Sequence, residues 1–200
     1  MLICLKEFFF MEKRIFLDLE TTGLHAEYHE IIEIGIIVED TKGNLLEKIH
    51  IKVRPEKGNF DEQAIKINGF SWENWSDSKP FETYEHALFE LLSDRNSVII
   101  GHNPKFDYDF LEEAFFRCGK HLPYSRLVDT RCFVYEHLYP MGCRTMSLDG
   151  VRRFLGWNLE GSHRAMKDVE DTRNLFHLLN RMSIFRYWRL KFFSRKKLHA

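Results

Sequence analysis

Net charge is what this sequence has least of. Lys and Arg number 29 against 30 Asp and Glu, a formal net charge of −1 at pH 7. No global basic field exists to draw in a polyanion, so any nucleic-acid contact must be made locally, with bound cations as one source of positive charge. Cysteine is also sparse: Cys4, Cys118, Cys132 and Cys143 include no C-x-x-C pair. That argues against a disulfide framework or a zinc site. It predicts free, buried thiols and a reduced, cytoplasmic setting. No apolar run is long enough to span a membrane. The opening MLICLKEFFF is broken by Lys6 and Glu7 and lacks the cationic start and small-residue cleavage site of a signal peptide. Met11 reads as the natural start and the ten residues before it as an upstream extension. Internal repeats and low-complexity segments are absent too.

What remains suits one domain with an ample apolar core. Arg14 to Leu19 (RIFLDL) reads as a buried strand, Ile31 to Glu39 (IIEIGIIVE) as a second, and Leu45 to Val53 as a third after the turn at Lys42-Gly43-Asn44. Three short strands with short turns predict an antiparallel meander. Beyond it, Phe60 to Ile67 is a short helix, Ser71 to Pro80 a loop and Thr83 to Leu92 a helix. Ser97 to Gly101 is a buried strand, Phe106 to Cys118 a helix closed by Gly119, Leu127 to Asp129 a last strand and Thr130 to Leu138 a helix. Ser147 caps a helix to Leu155. Arg164 to Met182 forms the final one, with Val169, Thr172, Leu175, Phe176 and Leu179 inward. This order predicts a three-layer α/β domain on a mixed five-stranded sheet, with a site where its topology switches.

Three segments carry the chemistry: Asp18-Leu19-Glu20-Thr21-Thr22-Gly23, Asn103-Pro104-Lys105-Phe106-Asp107 and His163-Arg164-Ala165-Met166-Lys167-Asp168. Asp18 and Glu20 are two apart in an extended segment and so share a face. Asp107 and Asp168 fall in the first turns of their helices. Four carboxylates converging without basic partners cannot all stay ionised, and a hard divalent cation such as Mg²⁺ or Mn²⁺ is the usual relief. Two such ions about 3.5–4 Å apart suit phosphodiester cleavage. A histidine can take a proton from metal-bound water without itself binding the metal, which makes His163 the candidate base beside them. Gly23 allows close backbone approach. Phe106 divides evenly between core packing and base stacking. Asn103 braces its loop by hydrogen bonds, and Asp171 reads as exposed or as a support to the ligands.

The segments resemble, in order, the D-x-E-x-T-G, N-x-x-F-D and H-x-A-x-x-D motifs of the DEDDh 3′→5′ exonucleases. The likeness runs from about Arg14 to Met182, takes in Asp129-Thr130 and Ser147-Leu148-Asp149, and is strongest to the epsilon-like branch. It implies a ribonuclease H-like fold and two Mg²⁺ or Mn²⁺ ions held by Asp18, Glu20, Asp107 and Asp168, with Asp18 bridging. It further implies His163 as general base. Thr21, Thr22, Gly23 and Leu24 would cradle the terminal nucleotide, and Phe106 would pack on its base. The implied partners are single-stranded DNA or RNA 3′ ends and a DNA polymerase assembly. The implied domains are an extension at 1–13, an exonuclease domain at 14–182 and a tail at 183–200.

Two features depart from that pattern. Where many epsilon-like members carry His-Gly, this chain has Asn68-Gly69, which keeps hydrogen bonding without titration. It also lacks the long C-terminal segment that tethers epsilon to its polymerase, and this argues against a proofreading-subunit role. The chain ends instead in FRYWRLKFFSRKKLHA, basic, aromatic and free of acids. That tail reads equally as a helix packed on the domain or as a nucleic-acid arm, with peripheral membrane contact a third reading. Two rival functions stay open: an exoribonuclease of the oligoribonuclease or ribonuclease T type, and a non-catalytic nucleic-acid-binding or accessory subunit.

Overall fold

A computed structural model describes residues 13–123 and 126–197, with side chains described through residue 182. The proposed start at Met11 and the tail's side chains lie outside them. Among the described residues, five strands form one mixed sheet in the order β3-β2-β1-β4-β5: β1 (Lys13–Thr21), β2 (Ile31–Glu39), β3 (Leu45–Lys52), β4 (Ser97–Gly101) and β5 (Leu127–Asp129). The β1-β2-β3 meander is antiparallel, whereas β4 runs parallel to β1 and β5 parallel to β4. The chain therefore builds to one side of β1 first and to the other side afterwards. The C-terminal end of β1 is the switch point, where open α/β sheets form their clefts.

Alternation along β1 sorts its side chains. Ile15, Leu17 and Leu19 join Ile34, Ile36, Leu88, Phe110 and Phe115 in the core beneath α2 (Glu85–Leu92) and α3 (Pro104–Arg117). Phe16 faces the other way, into a core with Val169 and Phe176 of α6 (Ala165–Lys197). By the same two-residue period, Asp18 and Glu20 share the α6 side. β2 is buried along its whole length, and β3 is an exposed edge. The charge that burial imposes on β2 is met locally: Glu39, 0% exposed, accepts hydrogen bonds from Arg14 and Arg173 and pairs with His177.

Two smaller helices complete the frame. α1 (Glu62–Asn68) is capped by Asp61 and α5 (Leu148–Leu155) by Ser147, whose hydroxyl accepts from the Gly150 N–H at 3.2 Å. Where one regular helix from Thr130 to Leu138 was expected, the short helix α4 (Thr130–Phe133) continues as a π-turn over Val134–Leu138, and a 3₁₀ turn follows over Tyr139–Met141. Pro140 has no N–H to donate and its ring clashes inside a helix, so it fits only the first turn of a new helical segment. The final helix also outruns its expected end, continuing to Lys197, since residues 183–197 contain neither Gly nor Pro to stop it. The described thiols are free, but among them only Cys143 is buried; Cys118 is half-buried and Cys132 exposed. No described helix is long and apolar enough to cross a membrane.

Candidate active site

Glycine at position 35 sets the depth of the site. Gly35 pairs with Asp18 across the β1-β2 ladder. A Cβ there would lie 2.5 Å from the main-chain oxygen of Ala165, so the first turn of α6 rests directly on the sheet. This contact delivers Asp168 to the acidic end of β1. One ligand atom each from Glu20, His163 and Asp168 lies within 4.8 Å of the others. Asp107 reaches the same strand end from the first turn of α3, where its Oδ1 accepts the Leu19 N–H at 2.9 Å. Asp107 and Asp168 are buried, at 5% and 7% exposure.

The charges respond as crowded carboxylates must. Burial, with the nearby charges of Asp107, Asp168 and Glu20, pushes Asp18 well above the usual carboxylate range. Burial, with Asp168, Glu33 and Asp107, raises Glu20 to about 8. Burial raises Asp107 to about 7 although the Leu19 N–H opposes the shift. Asp168 is also raised by burial, against the pull of Arg152. A site holding four acids with raised proton affinity is short of positive charge.

His163 stands at φ +60, a left-handed conformation that non-glycine residues rarely adopt. Its ring is 43% exposed, and Nε2 lies 3.3 Å from Asp149 Oδ2. It meets Glu20 and Asp168 at ligand distance, so the geometry admits it as a ligand as well as a base.

The turn after β1 uses its hydroxyls on itself. Thr21 Oγ1 donates to the Gly23 carbonyl at 2.6 Å, and Thr22 Oγ1 accepts the Glu30 N–H at 3.0 Å. A Cβ at Gly23 would meet the His29 ring at 2.2 Å, so the missing side chain makes room for a protein group. Leu24 is 72% exposed and, with Phe106, Phe110 and Phe116, lines a cleft of about 600 Å³. Phe106 packs on Phe110, ring centroids 4.9 Å apart, and lines this cleft.

Asn103 braces its loop through the main chain. Its N–H donates to Asp129 Oδ1 at 3.2 Å, and φ of +83 suits an asparagine ahead of a helix. Asn68 is buried, with Nδ2 donating to the Thr21 carbonyl and Oδ1 accepting the Phe70 N–H. Its amide is thus committed to the fold.

Two arginines escaped the sequence reading. Arg164 donates to the Asn68 carbonyl at 2.9 Å and lowers the proton affinity of Glu20. Arg152, 0% exposed, bonds Asp149, Asp168 and Asp171. Asp171 is therefore not exposed but buried, at 4%. Nothing in the Arg152-Arg153 pair marks one member as fully buried. A basic pair late in a short helix ordinarily reads as a solvated end.

Comparison with known proteins places the chain in a family. The RNase_T family model, described as Exonuclease, matches residues 15–176. The chain is similar to a DNA polymerase III PolC-type protein of Thermotoga petrophila, 31% identical over 164 residues, covering 81% of this chain but 11% of that protein. It is 28% identical to a DNA polymerase III subunit epsilon of Treponema pallidum over 164 residues, covering 80% and 72% of the two chains. To a ribonuclease T of Buchnera aphidicola it is 28% identical, covering 87% of each. It thus spans about a tenth of the length of the PolC-type relatives. In structure it resembles E. coli exonuclease I in complex with a dT13 oligonucleotide, with a TM-score of 0.77 and 18% identity over 88% of this chain and 43% of that one. The fold is thereby the expected ribonuclease H-like one. With the family match running from β1 well into α6, the chain belongs to the exonuclease family.

Proposed function

We propose that this chain is a divalent-metal-dependent 3′→5′ exonuclease that shortens single-stranded or frayed DNA from its 3′ end. The observation that carries this reading is the gathering of Asp18, Glu20, Asp107 and Asp168 at the switch point, their carboxyls raised in proton affinity, with His163 beside them.

The donor set fits Mg²⁺ or Mn²⁺: four hard carboxylates, no thiolate, and an imidazole at the edge. Asp18, Glu20, Asp107 and Asp168 would hold two such ions. When bound, the ions supply Lewis acidity and offset the charge that builds on the phosphoryl group. The protein does the rest. The turn at Thr21 to Leu24 and the ring of Phe106 seat the terminal nucleotide against the cleft. His163 takes a proton from the attacking water at its free ring nitrogen. The water oxygen bonds to phosphorus and the P–O3′ bond to the preceding nucleotide breaks. A nucleoside 5′-monophosphate leaves, and the shortened strand keeps a 3′-hydroxyl. Residues 14–182 form the catalytic unit in this reading. The free thiols of Cys118, Cys132 and Cys143 suit work in the reducing cytoplasm.

A second reading is the same chemistry on RNA. The ribonuclease T relative favours it, because the match covers 87% of both chains. A binding module without catalysis is the weaker rival, since all five acid and histidine positions are filled.

The test is incubation of the full chain with 5′-labelled single-stranded DNA or matched RNA, in Mg²⁺, Mn²⁺ or EDTA, beside Asp18→Ala. A metal-dependent ladder that the variant lacks is the expected result, and the faster substrate names the sugar. Intact substrate with retained binding would turn the assignment to a binding module.

A further inference from the structure

Arg152 is the most deeply buried charge next to the site, and each of its three nitrogens donates. Nε donates to Asp171 Oδ2 at 2.7 Å; one terminal nitrogen donates to Asp149 Oδ1 at 2.8 Å and to Ser162 Oγ at 3.3 Å; the other donates to Asp168 Oδ1 at 2.7 Å. Asp171 is held from its far side by Lys167, at 2.8 and 2.7 Å to its two oxygens. Asp149 spends its second oxygen on His163 Nε2 at 3.3 Å. One guanidinium thus ties α5 to α6 and touches, directly or through one carboxylate, both an acid and the histidine of the site.

We propose that Arg152 and Asp149 are positioning residues: Arg152 fixes the carboxylate of Asp168 for metal, and Asp149 passes the same anchorage to the imidazole of His163. This rests on the proposed nuclease chemistry, in which Asp168 holds metal and His163 is the base. With one oxygen of Asp168 pinned by Arg152, the carboxylate cannot rotate freely and faces a cation in one fixed orientation. The Asp149 carboxylate, 3.3 Å from the ring, favours the orientation of the imidazole seen here and stabilises the imidazolium that forms when the base is charged. The left-handed backbone of His163 then needs an external hold, which Asp149 supplies. A buried ion network is a poor device for stability alone, because desolvation offsets most of the attraction. Arginine suits the task where lysine does not: a rigid planar fork reaches carboxylates in three directions, and an ammonium is a point charge on a flexible stem.

The two halves are tested separately on the full chain. Mn²⁺ binding, followed by electron paramagnetic resonance, is compared for wild type, Arg152→Lys and Asp18→Ala, with circular dichroism to verify the fold. Arg152→Lys keeps the charge, whereas a neutral residue would take from buried Asp168 the cation that pairs with it. The positioning role gives folded Arg152→Lys protein with Mn²⁺ affinity lowered about 10- to 100-fold. A purely structural role lowers only its melting temperature, and Mn²⁺ affinity within twofold of wild type would overturn the Asp168 half. For the Asp149 half, turnover is measured in a double-mutant cycle. Asp149→Asn should lower kcat about tenfold in the wild-type background and leave it unchanged within twofold when His163→Ala is already present. Equal losses in both backgrounds would overturn it. If Asp18→Ala abolishes Mn²⁺ binding while Arg152→Lys does not weaken it, positioning fails and the nuclease reading stands. If the wild type binds no Mn²⁺, both fall.

Discussion

Glu20 and Asp107, raised to about 8 and about 7, make the site a pH-dependent liability without metal. In the unfolded chain both ionise near pH 4, so between about pH 4.5 and 8 the folded state holds more protons than the unfolded one. Stability must therefore fall as pH rises through that window. In EDTA the melting temperature is expected to drop by several degrees from pH 5.5 to pH 8, and Mn²⁺ should flatten the slope. A melting temperature in EDTA that rises over this range would contradict the raised carboxyls. Metal competes with protons for the same oxygens, so apparent metal affinity should climb over the same range. His163 is tested apart from the acids: His163→Ala should keep the fold and lower turnover by about 10²–10⁴-fold. Near-normal turnover in steady-state assays would remove the base. At this scale the motif acids and histidine were legible, because their types and spacing are dictated by chemistry. Asn68 was not: whether its amide turns outward to a ligand or inward to Thr21 and Phe70 depends on packing that no short pattern records.

Among the elements, the strands were the most legible. Ile31–Glu39, Ser97–Gly101 and Leu127–Asp129 have the expected bounds, since β-branched runs flanked by turns admit little else. The path from Phe133 to Met141 was not legible, because a π-turn leaves no periodic trace in the sequence. Nor was the contact that places α6. The sequence Glu-Ile-Gly-Ile-Ile within β2 reads as a strand with one weak residue. Only the structure shows a helix terminus seated on that glycine. Gly35→Ala brings a methyl to 2.5 Å from a main-chain oxygen that no rotamer change can remove. The end of α6 must shift, at a cost of about 1–3 kcal/mol in denaturant unfolding. Because Asp168 rides on that turn, metal affinity should fall as well. A variant as stable and as metal-competent as the wild type would show that α6 does not depend on this seat.

The whole molecule is nearly neutral only because its two parts have opposite sign. Arg186, Arg189, Lys191, Arg195, Lys196 and Lys197 stand in a segment without acids. With 29 basic and 30 acidic residues in all, the rest of the chain carries a formal −7. The acidic part should therefore repel a polyanion unless cations are bound to it, and attraction at a distance falls to the basic segment. The backbone there continues α6 as a helix to Lys197, which keeps these cations on one element with the turn that carries Asp168. Such an arm contributes affinity by displacing counterions from phosphates, so its signature is salt dependence rather than turnover. Deleting residues 186–200 should weaken binding to a long single strand and flatten its salt dependence by about 0.7 in log–log slope for each phosphate the arm engages. Turnover at saturation on a short oligomer, which cannot reach from cleft to arm, should be unchanged. An unaltered salt slope would show that the arm does not touch the strand, and the tail would then be an extension of α6 with no part in binding.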